Sequence, residues 1–205
     1  MFFYLLACVS TELDTSSSST IRDPSQWGPY EAGMTNFEFV DPRGKRLEVT
    51  VWYPADPEPT DEIAVYEPTT LSLRAYKNPK AAIDFAPMIG FSHGYFSVRF
   101  QSAFLVEHLA SHGFATVAVD HVNNTMFDFD DDLTGQVLLE RPDDLRYAIQ
   151  EARQRSANRE GVLGEVLDRG EYAVMGHSFG SHTAMVLGGG RLDYSGFLEY
   201  CSENT

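Results

Sequence analysis

The chain has 205 residues, 43% of them hydrophobic and 22% charged, the composition of one globular unit long enough to bury a proper core. Asp and Glu number 30 against 15 Lys and Arg, and the resulting net charge of -15 repels phosphate backbones, which argues against a nucleic-acid partner. Two cysteines are too few for a disulfide framework or a cysteine-based metal site, and no apolar run reaches the ~18 residues a membrane-spanning helix needs.

The chain opens on MFFYLLAC, in which Leu5-Leu6-Ala7-Cys8 resembles a bacterial lipobox. The resemblance implies a lipid on Cys8, attachment to a membrane through it, and a place in the bacterial cell envelope or outside the cell. Residues 1–8 would then be a signal remnant, and the Ser-rich stretch 9–30 a polar tether. The folded domain is expected from residue 31 to residue 205.

Residues 35–54, TNFEFVDPRGKRLEVTVWYP, alternate apolar and polar positions on both sides of Pro42-Arg43-Gly44, which predicts a β-hairpin. Residues 55–80 hold Pro57, Pro59, Pro68 and Pro79 without sustained periodicity and read as a surface excursion. APMIGFSHG, 86–94, is a short apolar run ending in a glycine turn, as a buried parallel strand would be. In 101–113, Phe104, Leu105, His108 and Leu109 share one helical face, with Gly113 as the stop. FATVAVD, 114–120, is a second buried strand. A helix over 141–158 has Pro142 in its first turn. YAVMG, 172–176, is a third buried strand, and SFGSHTAMVLGGG begins a helix closed by glycines.

This alternation predicts an α/β fold with a doubly wound, mostly parallel sheet, whose chemistry gathers at the carboxyl ends of the strands. Three segments fall at such ends: SHGYF, DHVNN and GHSFG. The last is a G-x-S-x-G pattern, Gly176-His177-Ser178-Phe179-Gly180. Glycines there let a strand and a helix approach closely while the turn lifts the serine Oγ clear of the sheet. By composition alone such a pattern arises about 0.1 times in a chain like this, so the flanking strand and helix carry the weight.

FSHGYFSVRFQSAFLVEHLASHGFATVAVDH, followed by GHSFG, is similar to the platelet-activating-factor acetylhydrolase and dienelactone-hydrolase-like branch of the α/β-hydrolases. VTVWYP near 51 and RPDDL at 141 add to a resemblance that covers roughly residues 35–190. It implies an α/β-hydrolase-type sheet, incomplete at the C-terminus, and hydrolysis of carboxylic esters without a cofactor, often short-acyl, lipid-like or small ones. Ser178 would be the nucleophile. The backbone N–H groups of Tyr95 and Phe179 would hold the oxyanion, with His93, Gly94, Gly176, His177 and Gly180 supporting the two turns. One departure is Ser181, where many relatives carry a second glycine.

In this fold the triad acid and histidine follow the serine in the chain. After Ser178 only His182, Asp193, Glu199 and Glu203 remain, and His182 should project along its helix instead of over the turn. The expectation is the N-terminal part of a longer hydrolase, with acid and base elsewhere. His121 precedes Ser178 and is expected to border the active site, while Tyr95 and Phe96 are candidate apolar walls. His108 and His112 lack a third ligand and read as core and helix-end residues, and FDFDDD, 127–132, reads as a solvated loop instead of a calcium site. Two other readings stay open: a catalytically inactive hydrolase-fold fragment, and a lipid-anchored binding protein in which GHSFG is incidental.

Overall fold

A computed structural model describes residues 23–203, apart from Thr70 and Leu192. Strands β1 (Glu31–Val40) and β2 (Arg46–Ala55) form the expected hairpin, in antiparallel register from Glu31 opposite Ala55 to Val40 opposite Arg46. Its turn is closed by Asp41, whose Oδ1 accepts from the N–H groups of Arg43 and Lys45, both at 2.9 Å. Gly44 takes the positive φ of 83° that the turn needs.

Within the excursion, β3 (Tyr76–Lys77) adds a parallel edge to β1. β4 (Ala86–Ser92), β5 (Ala115–Val119) and β6 (Leu167–Gly176) are mutually parallel about β4, and β5 joins the hairpin through antiparallel pairing with β2. The sheet order is β3-β1-β2-β5-β4-β6.

The side-chain alternation of β2 divides the core in two. Val49, Val51 and Tyr53 face one layer, where Leu145, Ala148, Ile149 and Ala152 of α2 (Thr134–Ala157) cover them. Trp52 faces the other, against Ala103, Val106 and Ala110 of α1 (Ala103–Ser111). Fully burying one such apolar side chain contributes about 1.5–3 kcal/mol, so each face has its own driving force. Two short helices, α3 (Phe179–Leu187) and α4 (Tyr194–Glu203), complete the described chain. The layers are those of the expected α/β architecture.

Several elements differ in detail from the sequence reading. The buried face of α1 is Ala103, Val106 and Ala110, whereas Phe104 is 70% exposed and Leu105 lies outward. Small residues win the inward face because Trp52 and Phe91 already fill that layer. α2 begins at Thr134, seven residues before the predicted start, so Pro142 lies inside it and not in its first turn. The extra turns hold because Val137, Arg141 and Pro142 are buried, at the cost of the one backbone bond that Pro142 cannot donate. Asp130 launches this segment by accepting from the Asp132 N–H, so part of the acidic run is a helix entry. β6 starts five residues early, at Leu167, which is buried in the core.

The last part of the expected tether, 23–30, is packed on α1. His108 and His112 donate through Nε2 to the carbonyls of Pro24 and Gln26, at 2.8 and 3.0 Å. Gly28 donates to Ser111 Oγ at 2.9 Å. The two histidines thus fasten an arriving segment, a role the sequence reading had not given them. Cys8 and the lipobox-like start lie outside the described residues.

Candidate active site

β6 runs to Gly176 and α3 starts at Phe179, so two residues make the whole turn. Ser178 takes φ 52° and ψ -114°, a conformation that costs a side-chain-bearing residue about 1–3 kcal/mol. Ser178 is exposed. The glycines on either side are there for space. A Cβ on Gly176 would overlap the Gly180 carbonyl, and one on Gly180 would overlap the carbonyls of Ser92 and His93 at the end of β4. Helix, turn and neighbouring strand therefore touch backbone to backbone. His177 N–H donates to Ser92 O at 3.1 Å, Gly180 N–H to His177 O at 2.8 Å, and Ser181 Oγ to Gly176 O at 3.1 Å. Ser181, in place of a second glycine, ties the helix back to the strand.

The loop after β4 is organised by His93, which is fully buried. Its Nε2 accepts from the His121 N–H at 3.2 Å, so the ring proton sits on Nδ1 and is donated to Gly94 O at 2.7 Å. Burial, with His121 and Arg141 close by, holds the His93 pKa well below its ordinary value, so the ring is neutral. Gly94 N–H donates to Gln101 Oε1 at 2.7 Å, and Gln101 Nε2 donates to His177 Nδ1 at 2.9 Å. Gln101 thus clamps the two turns together. No motif marked it in the sequence. The need for glycine at 94 is one of packing, since a Cβ would stand 3.0 Å from His177 Nδ1.

Tyr95 and Phe179 meet edge to face with ring centroids 5.5 Å apart, which brings the two predicted oxyanion residues side by side. Phe129 continues the contact, 5.1 Å from Tyr95 and 5.0 Å from Phe96, so aromatic rings form one rim of the site. The Tyr95 hydroxyl donates to Asp131 Oδ1 at 2.5 Å and fixes the rim to the helical turn that leads into α2. Among the described residues neither the Tyr95 nor the Phe179 N–H has a hydrogen-bond acceptor.

Beneath these turns lies a polar cluster that sequence reading missed. Ser92, His121, Asn124, Arg141 and Asp144 are all fully buried. Arg141 Nη2 donates to His93 O and, at 3.2 Å, to Ser92 Oγ, while Nη1 donates to Asn124 Oδ1 at 2.8 Å. The Ser92 hydroxyl in turn donates to His121 Nε2 at 2.9 Å, and His121 Nδ1 donates to Asp144 Oδ2 at 3.0 Å. Asp144 Oδ1 also takes Arg43 at 2.5 Å and Lys45 at 3.2 Å, from the hairpin turn. Burial pushes the Arg141 pKa down to about 9, against the pull of Asp144, so the guanidinium stays charged at neutral pH. Burial and the cations Arg141, Lys45 and Arg43 keep His121 neutral. His121 therefore lies below the site and not on its border. The available signal was the pairing of RPDD with DH at a strand end.

Among the described residues Ser178 Oγ has no such partner. His177 Nδ1 is taken by Gln101, His93 and His121 are buried, and His108 and His112 hold residues 24 and 26. Both ring nitrogens of His182 are buried without a partner. Asp193 bonds locally to Ser195 and Gly196. A cavity of about 530 Å³ lies beside the loop after β5, lined by Glu48, Glu67, Arg99, Asp120 and Asp128 among others, and none of its residues belongs to the Ser178 turn. Its cation is spent, because Arg99 is paired with Asp120 and Glu48.

A mostly parallel sheet with a strained serine between a strand and a helix is the fold of the α/β-hydrolase type. Among solved structures the chain is similar to a ferulic acid esterase from Streptomyces cinnamoneus, with a TM-score of 0.62 and 24% sequence identity. The match covers 77% of this chain and 55% of that one, so the chain spans about half of the esterase's length. No protein-family model and no curated protein matches it.

Proposed function

We propose that this chain carries the nucleophile and oxyanion half of a serine carboxylic-ester hydrolase. The carrying observation is Ser178 itself: exposed, held at a positive φ between β6 and α3, and followed by Phe179, whose N–H, like that of Tyr95, meets no acceptor among the described residues. In this reading Ser178 Oγ attacks the ester carbonyl and its proton passes to a general base. The carbonyl oxygen becomes an oxyanion held by the N–H groups of Tyr95 and Phe179. The alcohol leaves with a proton, and water then releases the acid from the serine ester. Base and acid are assigned to none of the described residues. In hydrolases of this fold they follow the nucleophile in the chain.

The substrate is a small ester presented to the aromatic rim of Tyr95, Phe96, Phe129 and Phe179. That rim favours an apolar or planar group beside the carbonyl, in keeping with the similarity in fold to a ferulic acid esterase. The likeness of the motifs to the acetylhydrolase branch supports short acyl groups as well. The lipobox-like start supports tethering to the bacterial envelope through Cys8.

A fluorophosphonate probe tests the reading. In the form that also supplies the acid and base, the folded protein should be labelled at Ser178, and Ser178→Ala should abolish labelling and lower ester turnover roughly 10³-fold or more. A folded protein that holds all three groups and takes up no probe would sink the proposal.

A further inference from the structure

We infer that Arg141 is the positioning residue of the oxyanion hole, setting the direction of both its donors from beneath the site. The inference rests on the reading of Ser178 as the nucleophile.

Three observations converge on it. The guanidinium donates to His93 O, fixing the peptide between His93 and Gly94. It also lies under the Phe179 ring, 4.9 Å from its centroid, on the residue whose N–H is the second donor. And through Asn124 Oδ1 and Ser92 Oγ it is held in place by fully buried partners on two other segments. One fully buried cation therefore touches both halves of the site without facing solvent.

The peptide geometry says what this contact does. A trans peptide points its C=O and its N–H in opposite directions. With His93 O turned down onto Arg141, Gly94 N–H is turned the other way, where Gln101 receives it. The next peptide is set by the His93 ring, whose Nδ1–H holds Gly94 O inward. The Tyr95 N–H then has to point away from the His93 ring, and among the described residues it meets no acceptor. The rest of the network agrees with this arrangement. Asp144 takes the His121 Nδ1 proton, so His121 Nε2 accepts from Ser92, whose oxygen also accepts from Arg141. The cost of burying a guanidinium is offset in part by the charge of Asp144, itself paired with Arg43 and Lys45.

A lysine at 141 keeps the charge but lacks the planar fork that bridges His93, Ser92 and Asn124. The Arg141→Lys protein is compared with the unsubstituted protein for the rate constant and the endpoint of fluorophosphonate labelling. In that reaction the Ser178 Oγ–P bond forms, the P–F bond breaks, and fluoride and a proton leave to solvent. A misdirected oxyanion hole lowers the rate constant per site and leaves the endpoint full, whereas partial unfolding lowers only the endpoint. We expect a fall of about tenfold or more in the rate constant at full endpoint. An unchanged rate constant, at any endpoint, overturns the inference. If Arg141→Lys does not fold, Asn124→Ala, which frees one side of the guanidinium, is read in the same way. It should lower the rate constant about threefold, and an unchanged value overturns the inference. All these rates are measured in the form that also supplies the acid and base, and no labelling of Ser178 in that unsubstituted protein would remove the nucleophile reading itself, and the inference with it.

Discussion

Two serines sit at the carboxyl ends of neighbouring strands, and they have opposite properties. Ser92, at the end of β4, bonds to His121, which bonds to Asp144, so the hydrogen-bond order of a catalytic triad is complete. Yet all three side chains are fully buried. Ser178, just past the end of β6, has exposure and a strained backbone, and among the described residues no histidine meets its hydroxyl and no acceptor meets the Phe179 N–H. Under the proposed reading, the difference teaches that hydrogen-bond order does not by itself define a nucleophile. A reacting carbonyl must reach the oxygen, and donors must be left over for the oxyanion. The Ser92 chain spends every group it has on its neighbours and acts as a fastening between the hairpin turn, α2 and the two loops.

The strongest way to break that contrast is to cut the buried chain at its charge. Asp144→Ala leaves Arg43 and Lys45 without their shared carboxylate and His121 Nδ1 without an acceptor. Removing one partner of a buried ion pair costs about 3 kcal/mol, read as a lower urea midpoint at unchanged slope. The labelled site in the protein that remains folded should still be Ser178. If Asp144→Ala left stability alone and moved the label, the assignment of the two serines would be reversed.

Acid titration separates the two regions by a smaller effect. His93 and His121 are both held neutral in the fold, with pKa values well below the 6.5 of a free imidazole. Below pH 6.5 the unfolded chain binds protons at these two positions and the folded chain does not, so stability falls as pH falls. The loss approaches about 1.4 kcal/mol per pH unit for each histidine once the pH is well below 6.5. Asp120 and Asp144, whose pKa values are raised in the fold, act in the opposite direction as they take up protons. His121→Gln should flatten the slope, as measured by melting temperature against pH. A slope unchanged by that substitution would remove His121 from the buried cluster.

How much of this was legible in the sequence follows from the range of each interaction. The hairpin, the parallel strands and the G-x-S-x-G turn are written in local alternation, turn residues and glycine spacing, and all three were readable. The α1 face was misread because Phe104 and Leu105 are more apolar than Ala103 and Ala110, while the space left by Trp52 and Phe91 admits only the smaller pair. Arg141, Asp144 and Gln101 went unseen for another reason. They look like ordinary surface residues of helix and loop until the fold brings them under a strand 48 positions away, as it does for Arg141 and His93. Local pattern does not encode that meeting.

The smallest expected effect bears on Ser178 most directly. At φ 52° a residue with a Cβ is strained, and glycine adopts this conformation without that steric cost. Ser178→Gly removes the hydroxyl, which has no partner among the described residues, and relieves the turn. Against this stands the greater freedom of glycine in the unfolded chain, worth roughly 0.5–1 kcal/mol, while the strain is worth about 1–3 kcal/mol. The balance favours the folded state, so the variant should be about 1 kcal/mol more stable while taking up no fluorophosphonate. The corresponding change at Ser92 has the opposite sign, because Ser92→Gly strips a buried hydroxyl from His121 and Arg141 and loosens a central strand. Chemical denaturation of the two glycine variants side by side decides the point. A destabilised Ser178→Gly would mean that the turn is not strained, and that the serine is kept there for packing instead of for chemistry.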